Sequence, residues 1–210
     1  MPSGSPVPLK KHEIQPVGKA GWDQQYRDGR WNYLGRSGEH ERYSALAERV
    51  YLSEADQVLD LGCGEGLLLR QLDVLGFAGR YVGVDWSYEA LARHRPGKGQ
   101  FFVCANLTQV SFTEQFNVVI LSEVLYYLTN PWAVLQAARK LVAPGGELLL
   151  TLYRPPADRR PEWHRYIAEL EEGLRRHANA EPASELSAAE SARTWALYAF
   201  QQRVGPGQSS

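Results

Sequence analysis

Six short apolar runs alternate with helix-forming stretches along this chain, and the first run stops at a glycine-rich loop. The runs cover residues 57–61, 80–85, 101–105, 117–121, 147–153 and 194–200. Around them apolar side chains recur at helical spacing. Tyr43, Leu46, Ala47 and Val50 form one stripe within 39–52. Leu68, Leu72 and Leu75 form another ahead of Gly76, and Trp163, Ile167, Leu170 and Leu174 a third behind Pro161. Ser87 and Asn130-Pro131 have the chemistry of helix starts. Residues 117–121 are apolar on both faces, as suits a strand buried between two helix layers. Such alternation demands a mostly parallel sheet covered on both sides and joined by right-handed crossovers. The expected fold is therefore α/β, doubly wound and Rossmann-like, with about seven strands. Pro144-Gly145-Gly146 is expected to make a sharp reversal into the fifth strand.

Composition narrows the function. One domain is expected over 19–204, between a proline-rich tail at 1–18 and a loose tail at 205–210. Within it, 19–53 reads as a lid with helices and 155–193 as an insertion that shapes a substrate pocket. The net charge is −1 and the basic residues form no stripe, which argues against nucleic acid as a partner. Cys63 and Cys104 make neither a disulfide framework nor a zinc site, and both read as small buried apolar residues of a reducing cytosol. No apolar run approaches the roughly 20 residues that span a bilayer, and the first residues lack the apolar core of a signal peptide. A soluble cytoplasmic monomer or homodimer with no membrane partner is the expectation.

The loop Asp60-Leu61-Gly62-Cys63-Gly64-Glu65-Gly66 sits where open α/β sheets bind ligands, beyond the carboxyl end of a strand. Its spacing is G-x-G-x-G, not the G-x-G-x-x-G of dinucleotide-binding loops. Together with Val58-Leu59 it closely resembles the first motif of class I S-adenosylmethionine-dependent methyltransferases. The resemblance extends to about Leu152. It implies that Gly62, Cys63 and Gly64 cradle S-adenosylmethionine, and that Asp85, twenty-one residues beyond Gly64, binds the ribose hydroxyls. It places Trp86 against adenine and Asn106-Leu107 near its amino group, although the family commonly has Asp where Asn106 stands. Asp60 falls near the cofactor's amino-acid end, where it either meets the ammonium or orders the loop. Ser122 is expected on the cofactor as well.

Methyl transfer needs the acceptor atom placed in line with the donor, and a hydroxyl acceptor gains from a base. Glu123, Tyr126 and His164 are the expected catalytic residues. Trp22, Tyr26, Trp31, Tyr127 and Tyr153 are expected to form the lid and substrate wall. Ser122-Glu123-Val124-Leu125 differs from the D/N-P-P-Y/F/W signature of amino-methylating nucleic-acid enzymes. A second Glu before Pro131 is missing from the protein-arginine hairpin pattern, and no carboxylate set has magnesium spacing. No Pro-Cys nucleophile is present either. The resemblance thus implies a metal-independent enzyme acting on a small-molecule acceptor such as a natural-product intermediate, at O or N. A non-catalytic S-adenosylmethionine-binding protein is the alternative, with a nicotinamide-dependent oxidoreductase less favoured.

Overall fold

The computed structural model describes residues 18–178, 180–188 and 191–203; apart from Gly18, both expected tails lie outside this range. Seven strands form one sheet: β1 (Gln57–Leu61), β2 (Arg80–Asp85), β3 (Gln100–Cys104), β4 (Phe116–Ser122), β5 (Val142–Arg154), β6 (Ser184–Ala188) and β7 (Arg193–Gln201). Their spatial order is β3-β2-β1-β4-β5-β7-β6. The first five pair in parallel, and β7 and β6 close the sheet antiparallel. The order reverses between β1 and β4, leaving a crevice beyond their carboxyl ends.

Among the described residues six α-helices accompany the sheet: α1 (Lys19–Arg27), α2 (His40–Leu52), α3 (Leu67–Val74), α4 (Tyr88–Leu91), α5 (Pro131–Lys140) and α6 (Pro161–Ala178). Alternate strand side chains separate two cores. Leu59, Leu61, Val119 and Leu121 join Leu135 of α5 and Leu170 and Leu174 of α6. Val58, Val118 and Ile120 face Leu46 and Val50 of α2 and Leu68 and Leu72 of α3. Each fully buried leucine contributes about 1.5–3 kcal/mol by leaving water, so both helix layers are held by their stripes. The caps form as their residue types demand: Ser87 Oγ accepts from Ala90 N–H, and Asn130 Oδ1 from Ala133 N–H.

Two local expectations are corrected, and two elements that the sequence did not mark appear. Pro144-Gly145-Gly146 is a bulge inside β5 rather than a turn ahead of it: pairing jumps from Phe116↔Val142 to Val118↔Glu147. Gly145 has φ 82°, and a Cβ on Gly146 would stand 2.4 Å from Asn117 O, so glycine alone fits that close approach. Cys104 is exposed, not buried, because β3 is the edge strand of the sheet. The aromatic segment after Gly18 begins as the regular helix α1, and the Ser-Glu-Leu-Ser-Ala stretch forms β6, an edge strand without an apolar pattern.

Candidate active site

A cleft of about 900 Å³ opens beyond the carboxyl ends of β1, β2, β4 and β5. Its floor on one side is the glycine loop. Gly62 and Cys63 N–H both donate to Val84 O, at 2.7 and 3.0 Å, folding the loop back over β2. Gly62, Gly64 and Gly66 have φ 90°, 54° and 69°. A Cβ on Gly62 would lie 2.4 Å from Val124 Cγ2, and one on Gly66 2.0 Å from His94 Cε1. This is a cradle that side chains would fill.

Asp85 ends β2 beside it. One carboxylate oxygen accepts from Gly64 N–H at 2.9 Å and the other from Ser87 N–H at 2.8 Å. Burial raises its pKa, while these two amides work the other way. The Trp86 N–H also acts on this carboxylate, and at least one oxygen retains a lone pair for a ligand hydroxyl. Trp86, Asn106 and Leu107 also line the cleft. Asn106 Oδ1 is engaged by the N–H and hydroxyl of Thr108, each at 3.0 Å. Its side chain therefore offers a ligand its amide N–H₂, a partner for a ring nitrogen rather than for an exocyclic amine. Asp60 is buried and accepts from Tyr81 Oη at 2.6 Å; burial drives its pKa up to about 6. Cys63 packs on Gly83, and burial pushes its thiol well up, so it serves as packing.

The opposite side is built by the end of β4. Glu123 has φ 60°, unusual for a residue with a Cβ and worth about 1–3 kcal/mol of strain. Its Oε2 accepts from Tyr126 Oη at 2.7 Å and from Tyr153 N–H at 3.1 Å, the Thr151 hydroxyl stands near the carboxylate, and among the described residues the buried Oε1 has no hydrogen-bond partner within bonding geometry. Burial raises its pKa, against the pull of Arg42. Tyr126 stacks edge-on with Trp163 (5.2 Å between centroids) and meets Tyr127 at 4.5 Å. Trp22 and Trp31 meet Tyr127 edge-on at 5.1 and 6.1 Å, so these aromatics, with Tyr26 close over Gly64, form one wall of the cleft.

Of the residues singled out by sequence, all but one line this cleft. His164 lies on the exposed side of α6 with Nδ1 against Pro155 O at 3.0 Å. It is not among the cleft residues. Ser122 lines the cleft, but its hydroxyl is held by Arg42 Nη1 and by Thr151 Oγ1. Sequence reasoning missed Arg42, 2% exposed, which pairs with buried Glu39, itself shared with Arg193. The signal was available: Arg42 precedes Leu46 by four residues and Val50 by eight, a charge on the buried phase of α2.

A family model described as a methyltransferase domain matches residues 36–201. The chain belongs to that methyltransferase family. The ubiquinone biosynthesis O-methyltransferase of Pseudomonas aeruginosa (strain LESB58) is 31% identical over 123 residues, 55% of this chain and 52% of that protein. The chain thus matches about half the length of such curated relatives. By structure, this methyltransferase resembles the N-methyltransferase NodS from Bradyrhizobium japonicum WM9 in complex with S-adenosyl-L-homocysteine. That match has a TM-score of 0.65 and 20% identity, covering 86% of this chain and 97% of that one. It also resembles the 1,6-didemethyltoxoflavin-N1-methyltransferase of Burkholderia thailandensis, with TM-score 0.66 and 19% identity over 97% and 92% of the two chains. These likenesses share its doubly wound fold. The cradle, the Asp85 carboxylate with a free lone pair and the neighbouring Asp60 fit the polar parts of S-adenosylmethionine.

Proposed function

We propose that this methyltransferase transfers the methyl group of S-adenosylmethionine to an O–H or N–H atom of a small aromatic acceptor, with Glu123 taking the proton. The observation that carries this reading is the Glu123 carboxylate, held in a strained backbone geometry with Oε1 unpartnered in the cleft. Native proteins rarely leave a buried carboxylate oxygen unbonded, so a ligand donor is its natural complement. The Gly62–Gly64 cradle and Asp85 support the donor half, and the Trp22, Trp31 and Tyr127 wall supports an aromatic acceptor held away from water.

When bound, the sulfonium supplies an electrophilic methyl: the acceptor's lone pair forms the new bond to carbon while the S–C pair returns to sulfur, leaving S-adenosylhomocysteine. Glu123 Oε1 receives the proton that the acceptor atom loses and passes it to water. Tyr126 and the Tyr153 amide fix the carboxylate so that its free oxygen keeps one direction. Tyr26 and the lid tryptophans exclude water from the reacting atoms. A natural-product intermediate as acceptor, and a cytoplasmic setting, agree with the two free cysteines and the compact cleft.

The test is S-adenosylhomocysteine formation with a panel of phenols and aryl amines, using wild type and Glu123→Gln. The variant should lose about 10²–10³ in kcat with donor affinity unchanged within about twofold. In wild type, kcat/KM should rise with pH through a carboxyl titration above the ordinary glutamate range, because burial raises Glu123. That limb should vanish in Glu123→Gln. Full activity in the variant would remove Glu123 from the mechanism, and failure to bind S-adenosylmethionine would remove the donor.

A further inference from the structure

The two halves of the cleft differ in charge. Asp60, Glu65 and Asp85 stand around the glycine loop at the donor half. The acceptor half is cationic. Glu39 is shared by Arg42 and Arg193, and with the Glu123 carboxylate that Arg42 also pulls on this cluster is balanced, so Arg160 supplies the surplus positive charge. Arg160, just before α6, lines the same half without an ion pair among the described residues. Arg193 also lies over the rings of Tyr33 and Tyr153, at 5.1 and 5.9 Å, which orients its guanidinium on the aromatic wall.

The unsatisfied polar atoms fall in the same place. Five buried side-chain N or O atoms lack a partner among the described residues, on Trp31, Glu41, Arg42, Glu123 and Trp163. All of these except Glu41 belong to residues that line the cleft. Three are donors and one, Glu123 Oε1, is an acceptor. Buried donors are nearly always bonded in a folded protein. The complement of this wall is a planar molecule with one O–H or N–H and several acceptor oxygens.

We infer that the acceptor is an aromatic acid, its carboxylate held by Arg160 and Arg193 and its reacting O–H or N–H directed at Glu123 Oε1. This rests on the methyl-donor reading above and adds the anionic group to it. One guanidinium over the Tyr153 ring and a second close enough to act on the Tyr153 phenol suit a carboxylate attached to a ring, since the fork binds both oxygens while the ring lies against Tyr153. The Trp163 indole N–H, on the same wall, supplies a further donor to an oxygen of the substituent.

The experiment is titration calorimetry on the full chain preloaded with S-adenosylhomocysteine. The probes are hydroxybenzoates, aminobenzoates and hydroxynaphthoates, each with its carboxamide and methyl ester. At least one acid should bind tenfold or more tightly than its amide and ester. Arg160→Gln should remove most of that preference while leaving amide and ester affinity unchanged, and higher salt should weaken the acid alone. Equal affinity for acids and neutral derivatives, or no acid bound at millimolar concentration, would overturn the inference. So would a preference that survives both Arg160→Gln and Arg193→Gln. The loading step separates the two readings: without S-adenosylhomocysteine binding the donor assignment itself fails, whereas loading without acid preference sinks the anionic acceptor alone.

Discussion

Asp60 shows how a single buried carboxyl ties stability to ligand binding. Among the described residues its one hydrogen-bond donor is Tyr81 Oη, and burial raises its pKa to about 6 against roughly 4 in an unfolded chain. The folded state therefore prefers the proton. Its stabilising share is fully present below about pH 4 and is lost as pH rises through 6, a change of about 2–3 kcal/mol. In Asp60→Asn the urea midpoint should decline less between pH 4.5 and 7 than in wild type, and an unchanged slope would contradict the assignment. A cationic ligand group beside Asp60 would pull the other way, favouring the charged carboxylate. The Asp60 position was legible in the sequence because the loop motif carries it, as were Gly62, Gly64 and Asp85. Arg193 and Arg160 were not, because arginines at a strand start and in a connection look solvated until the fold turns them towards one cleft; Arg42 left only the trace of a charge on the buried phase of α2.

At the scale of elements, α1 is fastened separately from the sheet cores. Asp23 on α1 accepts from Ser87 Oγ at 2.8 Å and Glu89 N–H at 3.3 Å, and pairs with Lys19 at 2.8 Å. Although burial opposes it, these bonds hold the Asp23 carboxyl down to about 2. Arg93 binds Glu65 of the glycine loop and the Tyr26 carbonyl, so α1, α4 and the loop share one set of contacts. Asp23→Ala should speed hydrogen exchange in α1 about tenfold, close to 1.4 kcal/mol of local opening, while amides of β1 and β4 stay protected. Equal acceleration in the sheet would show that α1 belongs to the global folding unit. The helix α1 itself escaped the pattern because its apolar residues, Trp22 and Tyr26, are few and its buried face is small. β6 escaped for the complementary reason: an edge strand needs only main-chain pairing to β7, and Ser184–Ala188 carries no alternation. The β5 bulge hid inside a proline-glycine signal that in most chains marks a turn. The central strands, buried on both faces, left the clearest trace.

For the whole molecule, the cleft is the place where the otherwise separate packing units meet. Tyr126 and Trp163 belong to the core on one face of the sheet, Leu68 to the core on the other, and Tyr26 and Trp31 to the cluster beside α1. A ligand seated there touches all three, so its binding energy should appear as cooperative stabilisation of the entire fold. At one hundred times its dissociation constant, a ligand specific to the folded state adds about 2.7 kcal/mol. For a chain of this size that corresponds to a rise in Tm of roughly 5–11 °C. S-adenosylhomocysteine should give such a shift in a single transition, and NAD should give none, because the G-x-G-x-G loop lacks the dinucleotide spacing. Asp85→Ala should start from a lower Tm, since Gly64 and Ser87 N–H lose their acceptor. The decisive quantity is the shift within that variant, which should fall to near zero at the same ligand concentration. A full shift in Asp85→Ala would mean that Asp85 orders the loop without holding the ligand. A shift confined to an early, separate transition would mean that α1 alone senses it.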